Sequence, residues 1–495
     1  MGRPARRGLS SCASLLVATT GCAQLAGIDE TSGLIPPDRV SLAVDRISVG
    51  ATVARLPQDL SANTASFAVP DDSVPEGFTL VPADLTDTGV WTAEVPDGTP
   101  AVKFDLPDFP LPLLRWWQLP SRNLTAMITA FEHPSPTPAP AGATLTVGAT
   151  LPTQYVSGQS FQFVVVGTWN SRGFTAAELP LPDMANTTIP PATFAFTSMA
   201  KITGRPHEKI TSADAGLLLR YSGARLSGVM EAAPFEQTDA DTIMGTMTAV
   251  PADQMLEASL QPNLVAGRYA PLRPAMTGIG MSWSLTAAPG IDVGASLGVS
   301  LHAGTVVAAD PPLTVPFGNP FVAKGWRSLF LWSTTASRTF TPAGQMLPAT
   351  LTAGLFTYTE PTPGMMLTLP AALPELITIN GMPLSSDGLS IPQPTGQVTV
   401  SFVAAGTNTL YFVQLYELVP NAANTALVQQ FVIESVGLTK ELILPPDAFV
   451  AGKRYTLRAV SVEGGYPNAA MGDLATHPFP MSFGAHESGV FTVTP

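Results

Sequence analysis

Prolines are spread along the whole chain, and they constrain its fold more than any other sequence feature. The 495 residues include 49 prolines, roughly twice the average frequency. A proline inside a helix removes a backbone hydrogen bond and clashes with the preceding turn. Hydrophobic residues nevertheless make up 45% of the chain, enough to build sizeable cores. The sequence therefore predicts an all-β protein of tandem β-sandwiches, with few and short helices.

Alternating apolar and polar residues indicate where individual strands lie. Every second residue from Val293 to Ala303 is apolar, and the residues between them are Gly, Ser or His302. This period of two places one face of a strand in a core and the other in solvent. Further strands are predicted at 89–107 (two strands joined by a turn at 96–98), 160–169, 215–223, 328–334 and 354–360.

The N-terminus has the layout of a secretory signal peptide. Arg3, Arg6 and Arg7 form a positive region, and residues 9–18 form an apolar stretch that is followed by small residues. The apolar stretch is shorter than the ~20 residues that a membrane-spanning helix needs. We therefore expect the chain to be exported and residues 1–21 to be removed.

Gly21 and Cys22 follow this stretch and resemble the lipobox of bacterial lipoproteins. In that family the cysteine carries a diacylglycerol and its freed amine is acylated, so the resemblance implies that Cys22 is the lipid attachment site. Thr19 departs from the family pattern, which usually has Leu three residues before the cysteine. Cys12 has no apolar stretch before it, and we expect it to be a passive residue of the signal. Ala23 stands where lipoproteins of the inner membrane often carry Asp, which implies the outer membrane.

Three segments near the C-terminus resemble strands B, C and F of a fibronectin type III module: 398–402, 411–418 and 449–460. Phe402 stands where the family has Trp, and Phe449 with Tyr455 matches the corner between strands E and F. The resemblance implies a β-sandwich in which the Tyr455 ring is buried and its hydroxyl bonds to the backbone a few residues upstream. It implies a spacer or ligand-binding role, because this fold does not define a function.

Proline clusters at 133–143 and 360–375 suggest where the chain is divided. We predict a signal peptide at 1–21, a lipid-anchored tether at 22–37, a β-sandwich domain at 38–134, a β-rich middle region of one or two sandwiches at 140–370, and a fibronectin type III-like domain at 374–495.

The net charge and the scarcity of catalytic and metal-binding motifs argue against several classes of function. A net charge of −13 disfavours binding to nucleic acid. Ser198 and Lys201 have the S-x-x-K spacing of penicillin-binding enzymes, but the chain lacks the accompanying K-T-G, and the segment alternates like a strand. The other candidates carry side chains that bind metals, but their spacing fits surface loops and solvated turns better than a metal site. They are His477, His486, Glu487, Glu236, Asp239 and Asp241. We predict no catalytic residue, no cofactor and no metal site.

Trp116 and Trp117 are the most unusual local feature, in the segment "LLRWWQLP". Neighbouring residues of a strand point to opposite faces, so one of the two side chains should be buried and the other should tend outward. An exposed Trp can stack on a sugar or on a partner protein. The alternative is that a neighbouring domain covers it.

These observations together predict a non-enzymatic, lipid-anchored protein of the bacterial envelope, on the periplasmic face or at the cell surface. Its role would be that of a scaffold, a binding module or an adhesion module for a protein or glycan partner. The alternatives are an envelope enzyme with dispersed catalytic residues and a glycan-binding lipoprotein. A plain secreted protein with an incidental Cys22 is the alternative to lipid anchoring.

Overall fold

The structure is a computed structural model. Alternation of apolar and polar residues along the chain accounts for most of its strands. The structure describes residues 39–49, 53–57, 60–61, 63–71, 73–95, 101–106, 113–118, 121–128, 137–166, 181–196, 209–212, 214–259, 262–288, 299–305, 312–362, 365–366, 369, 371–407, 409–476 and 478–495.

The first part of the chain contributes nine short strands to two sheets. They are β1 (Arg39–Val49), β2 (Val53–Pro57), β3 (Thr64–Pro70), β4 (Phe78–Pro82), β5 (Asp84–Leu85), β6 (Val90–Glu94), β7 (Ala101–Leu106), β8 (Leu113–Gln118) and β9 (Asn123–Ile128). The two strands predicted within 89–107 are β6 and β7, and they belong to different sheets.

The middle of the chain adds fourteen strands and one eight-residue helix, which is the single α-helix among the described residues. They are β10 (Thr144–Thr150), β11 (Gln159–Val166), β12 (Thr188–Ala195), β13 (Ala215–Ser222), β14 (Arg225–Glu231), β15 (Ala240–Thr246), β16 (Thr248–Ala249), β17 (Gln254–Ser259), α1 (Pro262–Tyr269), β18 (Thr277–Ala288), β19 (Val299–Thr305), β20 (Pro312–Phe317), β21 (Arg327–Phe340), β22 (Ala349–Thr359) and β23 (Met365–Met366). The predicted strands at 160–169, 215–223, 328–334 and 354–360 are thereby confirmed. The alternating segment forms a strand over its described part, β19.

The last part of the chain completes the sheets with eleven strands. They are β24 (Glu375–Ile379), β25 (Met382–Pro383), β26 (Leu389–Pro392), β27 (Val398–Val403), β28 (Leu410–Pro420), β29 (Leu427–Gly437), β30 (Glu441–Leu444), β31 (Arg454–Gly464), β32 (Asp473–Leu474), β33 (Met481–Glu487) and β34 (Phe491–Thr494).

Fourteen strands from all three parts join in one large sheet. Its order is β19-β18-β21-β22-β33-β31-β28-β29-β8-β7-β3-β4, with β34 pairing β31 and β26 pairing β34. Smaller sheets stack against it, for example β25-β24-β27-β30 and β32-β9-β1-β6-β5. The prediction of an all-β protein built from sandwich-like layers is confirmed.

Four large hydrophobic cores of the described residues lie between these layers. Three of them use a different stretch of the large sheet as one wall, and the fourth lies between β12-β10-β15 and β11-β13-β14-β16. Burial of both faces explains why the central strands β31 and β33 contain so many buried residues, whereas buried and half-buried residues alternate in β28.

The strand pairing passes through the boundaries that the proline clusters suggested. Ala353 of β22 pairs with His486 of β33, across the cluster at 360–375. Ser435 of β29 pairs with Trp116 of β8, which lies before the cluster at 133–143. Backbone hydrogen bonds therefore connect the first and middle regions to the last one.

Part of the second proline cluster forms a buried crossing against the large sheet. Residues 371–374, which we call the strap, are buried. Ala371 N donates to Ser482 Oγ at 3.3 Å, and His486 Nδ1 lies 2.8 Å from the carbonyl oxygen of Pro374 and donates to it. Ser461 Oγ donates to the carbonyl of Ala372. Side chains of β31 and β33, together with Arg268 of α1, which donates to the carbonyl of Ala371, thus satisfy the strap's backbone. Prolines keep this backbone out of a regular ladder.

The geometry predicted around Tyr455 is confirmed. Its ring is 1% exposed and packs 5.9 Å from both Phe449 and Phe491, measured between ring centroids. Its hydroxyl accepts a hydrogen bond from Val450 N at 3.0 Å, five residues upstream. In β27, the apolar residues Val398, Val400 and Phe402 are buried and the residues between them are half-buried, as alternation requires.

Candidate functional site

Neither tryptophan of the predicted binding pair is accessible. Trp116 is 2% exposed and Trp117 is 1% exposed, so the expectation that one of them points outward is wrong. Their alternation is as predicted, because Trp116 lies in the core shared with β27 and β31, and Trp117 lies in the core shared with β1 and β9. The strand β8 pairs β29 on one side and β7 on the other, and layers cover both of its faces. A site for stacking on sugars at these residues is therefore excluded.

Several other predicted residues lie outside the described part of the chain: Cys22, Ser198, Lys201 and His477. Two of the described acidic candidates accept hydrogen bonds from nearby backbone and hydroxyl groups. Asp241 accepts hydrogen bonds from Thr238 N and Oγ1, both at 2.8 Å. Glu236 accepts from Ser212 N at 3.0 Å.

The expectation that His486 and Glu487 lie in a surface loop is wrong, because both are buried on β33. As strand neighbours they point to opposite faces. His486 meets the strap, while Glu487 faces the other side of the sheet. Among the described residues, no group of three or more His, Cys, Asp or Glu side chains is placed to hold a metal ion.

Five neighbouring strands of the large sheet come together at one end. The strands β22, β33, β31, β28 and β29 are consecutive neighbours. At the start of β22, Ala349 also pairs with Leu427 of β29, and Leu427 N donates to the carbonyl of Pro348 at 2.8 Å. Beyond these residues β22 and β29 do not pair with each other. The five strands therefore enclose a cleft, the sheet cleft, that is closed near Ala349 and open at the other end.

The floor of the sheet cleft is a row of polar side chains on adjacent strands. Arg458 of β31 is in register with Gln414 of β28, which is in register with Glu434 of β29. Gln414 Nε2 donates to Glu434 Oε2 at 2.7 Å, and the Tyr416 hydroxyl donates to Gln414 Oε1 at 2.9 Å. The row brings a guanidinium, an amide and a carboxylate together on rigid strands.

Glu487 fastens the closed end of the sheet cleft. Its carboxylate accepts hydrogen bonds from Thr352 N at 2.6 Å, Thr352 Oγ1 at 2.9 Å and Gln429 Nε2 at 2.9 Å. It therefore ties β33 to both β22 and β29. Burial raises the pKa of Glu487, while its hydrogen bonds and the positive charge of Arg458 act in the opposite direction.

Aromatic side chains surround the open end. Four half-buried rings line the cleft above the polar floor: Phe356, Tyr358, Phe412 and Phe483. The rings of Tyr358 and Phe483 meet edge to face, 6.2 Å apart at an interplanar angle of 89°. The cleft has a volume of about 350 Å³, within the range of small-molecule sites, which are mostly apolar with a few convergent polar groups.

A second depression lies between β4 and the loops of the last region. It has a volume of about 560 Å³ and is lined mainly by prolines and by Phe78 and Leu80. Its charged residues are Glu76 and an ion pair between Lys103 Nζ and Asp447 Oδ2 at 3.6 Å. The sheet cleft is the better candidate because its polar groups converge and are held by strands rather than loops.

Sequence reasoning missed the sheet cleft. The alternation of Phe412, Gln414 and Tyr416 within "YFVQLYEL" is visible in the sequence, and it marks a strand face that mixes aromatic and polar residues. The partners Glu434, Arg458 and Phe483 come from three other strands, and only the pairing of those strands brings them together.

No family model matches the chain, and no curated protein matches it. Among solved structures, one similar chain is described as the "Structure of the Streptococcal ancillary pilin". The match has 10% sequence identity and a TM-score of 0.12, and covers 67% of this chain and 98% of that one. A TM-score this low carries no argument about fold or function. The described residues include no helix that is both long and apolar enough to cross a membrane.

Proposed function

We propose that this chain is a non-enzymatic, lipid-anchored protein of the outer membrane that presents a binding module to its surroundings. The observation that carries the proposal is the large sheet, which joins strands from the first, middle and last regions into one hydrogen-bonded platform around a preformed cleft. Such a platform holds binding side chains in place on rigid strands. The signal-like N-terminus and Cys22 support the anchoring.

The last region supports a module of the fibronectin type III kind. The segments that resemble strands C and F, β28 and β31, pair with each other, whereas the segment that resembles strand B, β27, lies in the opposing sheet. The hydrogen bond of Tyr455 adds to this resemblance. In this proposal the module contributes a sheet to the platform and is not an independent domain joined by a flexible linker.

The anchoring is tested by two matched substitutions, Cys22→Ser and Cys12→Ser, because these are the two cysteines of the chain. Cells expressing each variant are broken without detergent, and the membrane and soluble fractions are compared. We expect Cys22→Ser to lose acylation at the mature N-terminus, as measured by mass spectrometry, and to leave the membrane fraction or remain uncut. Cys12→Ser should behave like the natural protein. A natural protein that is already soluble and unacylated, or acylation at Cys12, would contradict the proposal.

A further inference from the structure

The aromatic rim of the sheet cleft exposes ring surface that the protein itself does not cover. Phe356, Tyr358, Phe412 and Phe483 are each half-buried, and together they form a grouped apolar surface at the mouth of a concavity. Grouped exposed apolar surface marks an interaction site more often than isolated exposed residues do. Aromatic rings of this kind pack against the C–H faces of a ligand, because the C–H faces are the apolar surfaces of an otherwise polar molecule.

The floor of the same cleft offers paired donors and acceptors. The guanidinium of Arg458 has donors in a planar fork, and the carboxylate of Glu434 has two acceptor oxygens. The amide of Gln414 bonds to Glu434 and Tyr416 and keeps a second N–H and a second oxygen lone pair for a ligand. These groups lie side by side, because the three residues are in register on adjacent strands about 4.8 Å apart. Paired groups at this spacing suit neighbouring hydroxyls, each of which both donates and accepts.

The charges of the cleft argue against an anionic ligand. The positive charge of Arg458 lies in the same row as Glu434, and Glu487 faces it from the adjacent strand. A phosphate or carboxylate ligand would meet Glu434 together with Arg458 and gain little net attraction. A neutral ligand with many hydroxyls can bond to both charges at once.

The cleft is preorganised for such a ligand. The pairing of Ala349 with Leu427 and the three hydrogen bonds to Glu487 fix the closed end. The hydrogen bond between Gln414 and Glu434 fixes the orientation of two floor groups. Less conformational freedom is then lost when a ligand binds.

We propose that the sheet cleft binds a neutral saccharide, with a sugar face against the Phe483 and Phe412 rings and vicinal hydroxyls bonded to Gln414, Glu434 and Arg458. The volume of about 350 Å³ accommodates a terminal sugar unit or the end of a short oligosaccharide. The inference rests on the proposed role as a binding module, and it names the class of ligand and the side chains that recognise it.

The test uses the full chain, purified in mild detergent with its N-terminus as the cell leaves it. Isothermal titration calorimetry measures binding of a panel of neutral hexose and N-acetylhexosamine oligosaccharides, together with uronic-acid oligosaccharides and inorganic phosphate. We expect at least one neutral saccharide to bind, and phosphate and uronic acids to bind at least about tenfold more weakly or not at all.

Two substitutions in the cleft have matched controls outside it. Phe483→Ala removes an aromatic ring from the rim. Gln414→Leu replaces the amide of the floor with an apolar side chain of similar size. The controls are Phe340→Ala and Arg338→Ala on β21, which together form a cation–π pair at 4.6 Å outside the cleft. We expect each cleft variant to weaken saccharide binding by at least about tenfold and the controls to change it by less than about twofold. Circular dichroism and thermal melting establish that each variant is folded before it is scored.

Several results would overturn the inference. They are the absence of binding across the neutral panel by the folded protein, equal binding by the folded cleft variants, or preferential binding of anions or of an extended peptide at the cleft. Failure of the proposed lipid anchoring looks different, because it appears in the fractionation of the Cys22 and Cys12 variants and leaves saccharide binding by the purified chain unchanged.

Discussion

Two proline-rich segments with similar composition differ in what surrounds them. In the segment at 133–143, the described residues from Thr137 to Gly142 are exposed or half-buried. In the segment at 360–375, the strap at 371–374 is buried. The segment at 133–143 accepts a backbone hydrogen bond, from Lys209 N to the Thr137 carbonyl oxygen at 2.7 Å. The second is held by side chains of two strands of the large sheet.

The difference shows what a proline cluster predicts and what it does not. Proline removes a backbone donor and fixes φ, so both segments leave the regular helix and strand patterns. Whether such a segment lies in solvent depends on whether other side chains satisfy its carbonyls and amides when it is buried. Ser461, Ser482 and His486 do so for the strap, while Gly484 leaves room for it.

The largest expected contrast between the two segments is in proteolysis. Elastase cleaves after alanine unless proline follows, and each segment has such sites, Ala141 in the first and Ala371 with Ala372 in the second. Cleavage of a buried strap requires local opening, which costs free energy, whereas exposed residues need little. We expect initial cleavage after Ala141 to be at least about 100-fold faster than after Ala371 or Ala372, measured by mass spectrometry of early fragments. Comparable rates would mean that the strap is not stably held.

A substitution at Gly484 should expel or strain the strap. A Cβ at this position would overlap the carbonyl oxygen of Ala372 and crowd Leu373 N. We expect Gly484→Ala to cost about 3 kcal/mol or more of unfolding free energy, measured by urea denaturation, and to speed elastase cleavage at Ala371 and Ala372.

The matched control for Gly484 is Gly142 in the exposed segment. Gly142 has a φ of +78°, and nothing lies within 4 Å of the place where a Cβ would stand. Only the backbone conformation opposes Gly142→Ala, which should cost about 1 kcal/mol. Equal losses for the two variants would contradict the role assigned to Gly484.

Acid should loosen the strap through His486. Burial lowers the pKa of His486 from its usual 6.5 to about 4, so the folded state holds the neutral ring that donates to Pro374. A lowered pKa in a folded base means that the associated stability is present above pH 6.5 and is lost as the pH falls through about 4. We expect the natural protein to lose about 3 kcal/mol between these pH values from this group.

The control for this acid effect is His486→Gln, whose amide can donate to Pro374 and does not titrate. Glu487 has a raised pKa and contributes the opposite sign, because its protonation favours the folded state as the pH falls. It is present in both proteins, so the difference between the two urea-denaturation series isolates His486. Parallel loss of stability in both proteins would exclude the assignment.

The sequence by itself determined the fold class and much of the local structure. The spread of prolines excluded long helices, and alternation located β11, β13, β21 and β22. The resemblance of Phe449 and Tyr455 to the fibronectin type III corner predicted the buried ring and a hydrogen bond between the hydroxyl and the backbone a few residues upstream, where the structure places Val450 N. These features depend on residues close in the chain, whose φ preferences and period of two are local properties.

The tertiary structure alone decided which faces are covered and which groups meet. Trp116 and Trp117 alternate as predicted, yet both are buried because β8 lies within the large sheet and layers cover both of its faces. The strap is buried because β31, β33 and Arg268 of α1 supply its hydrogen bonds. The floor and rim of the sheet cleft come from five strands spread over residues 349–487. Strand order and register depend on such long-range pairings, which local alternation does not specify.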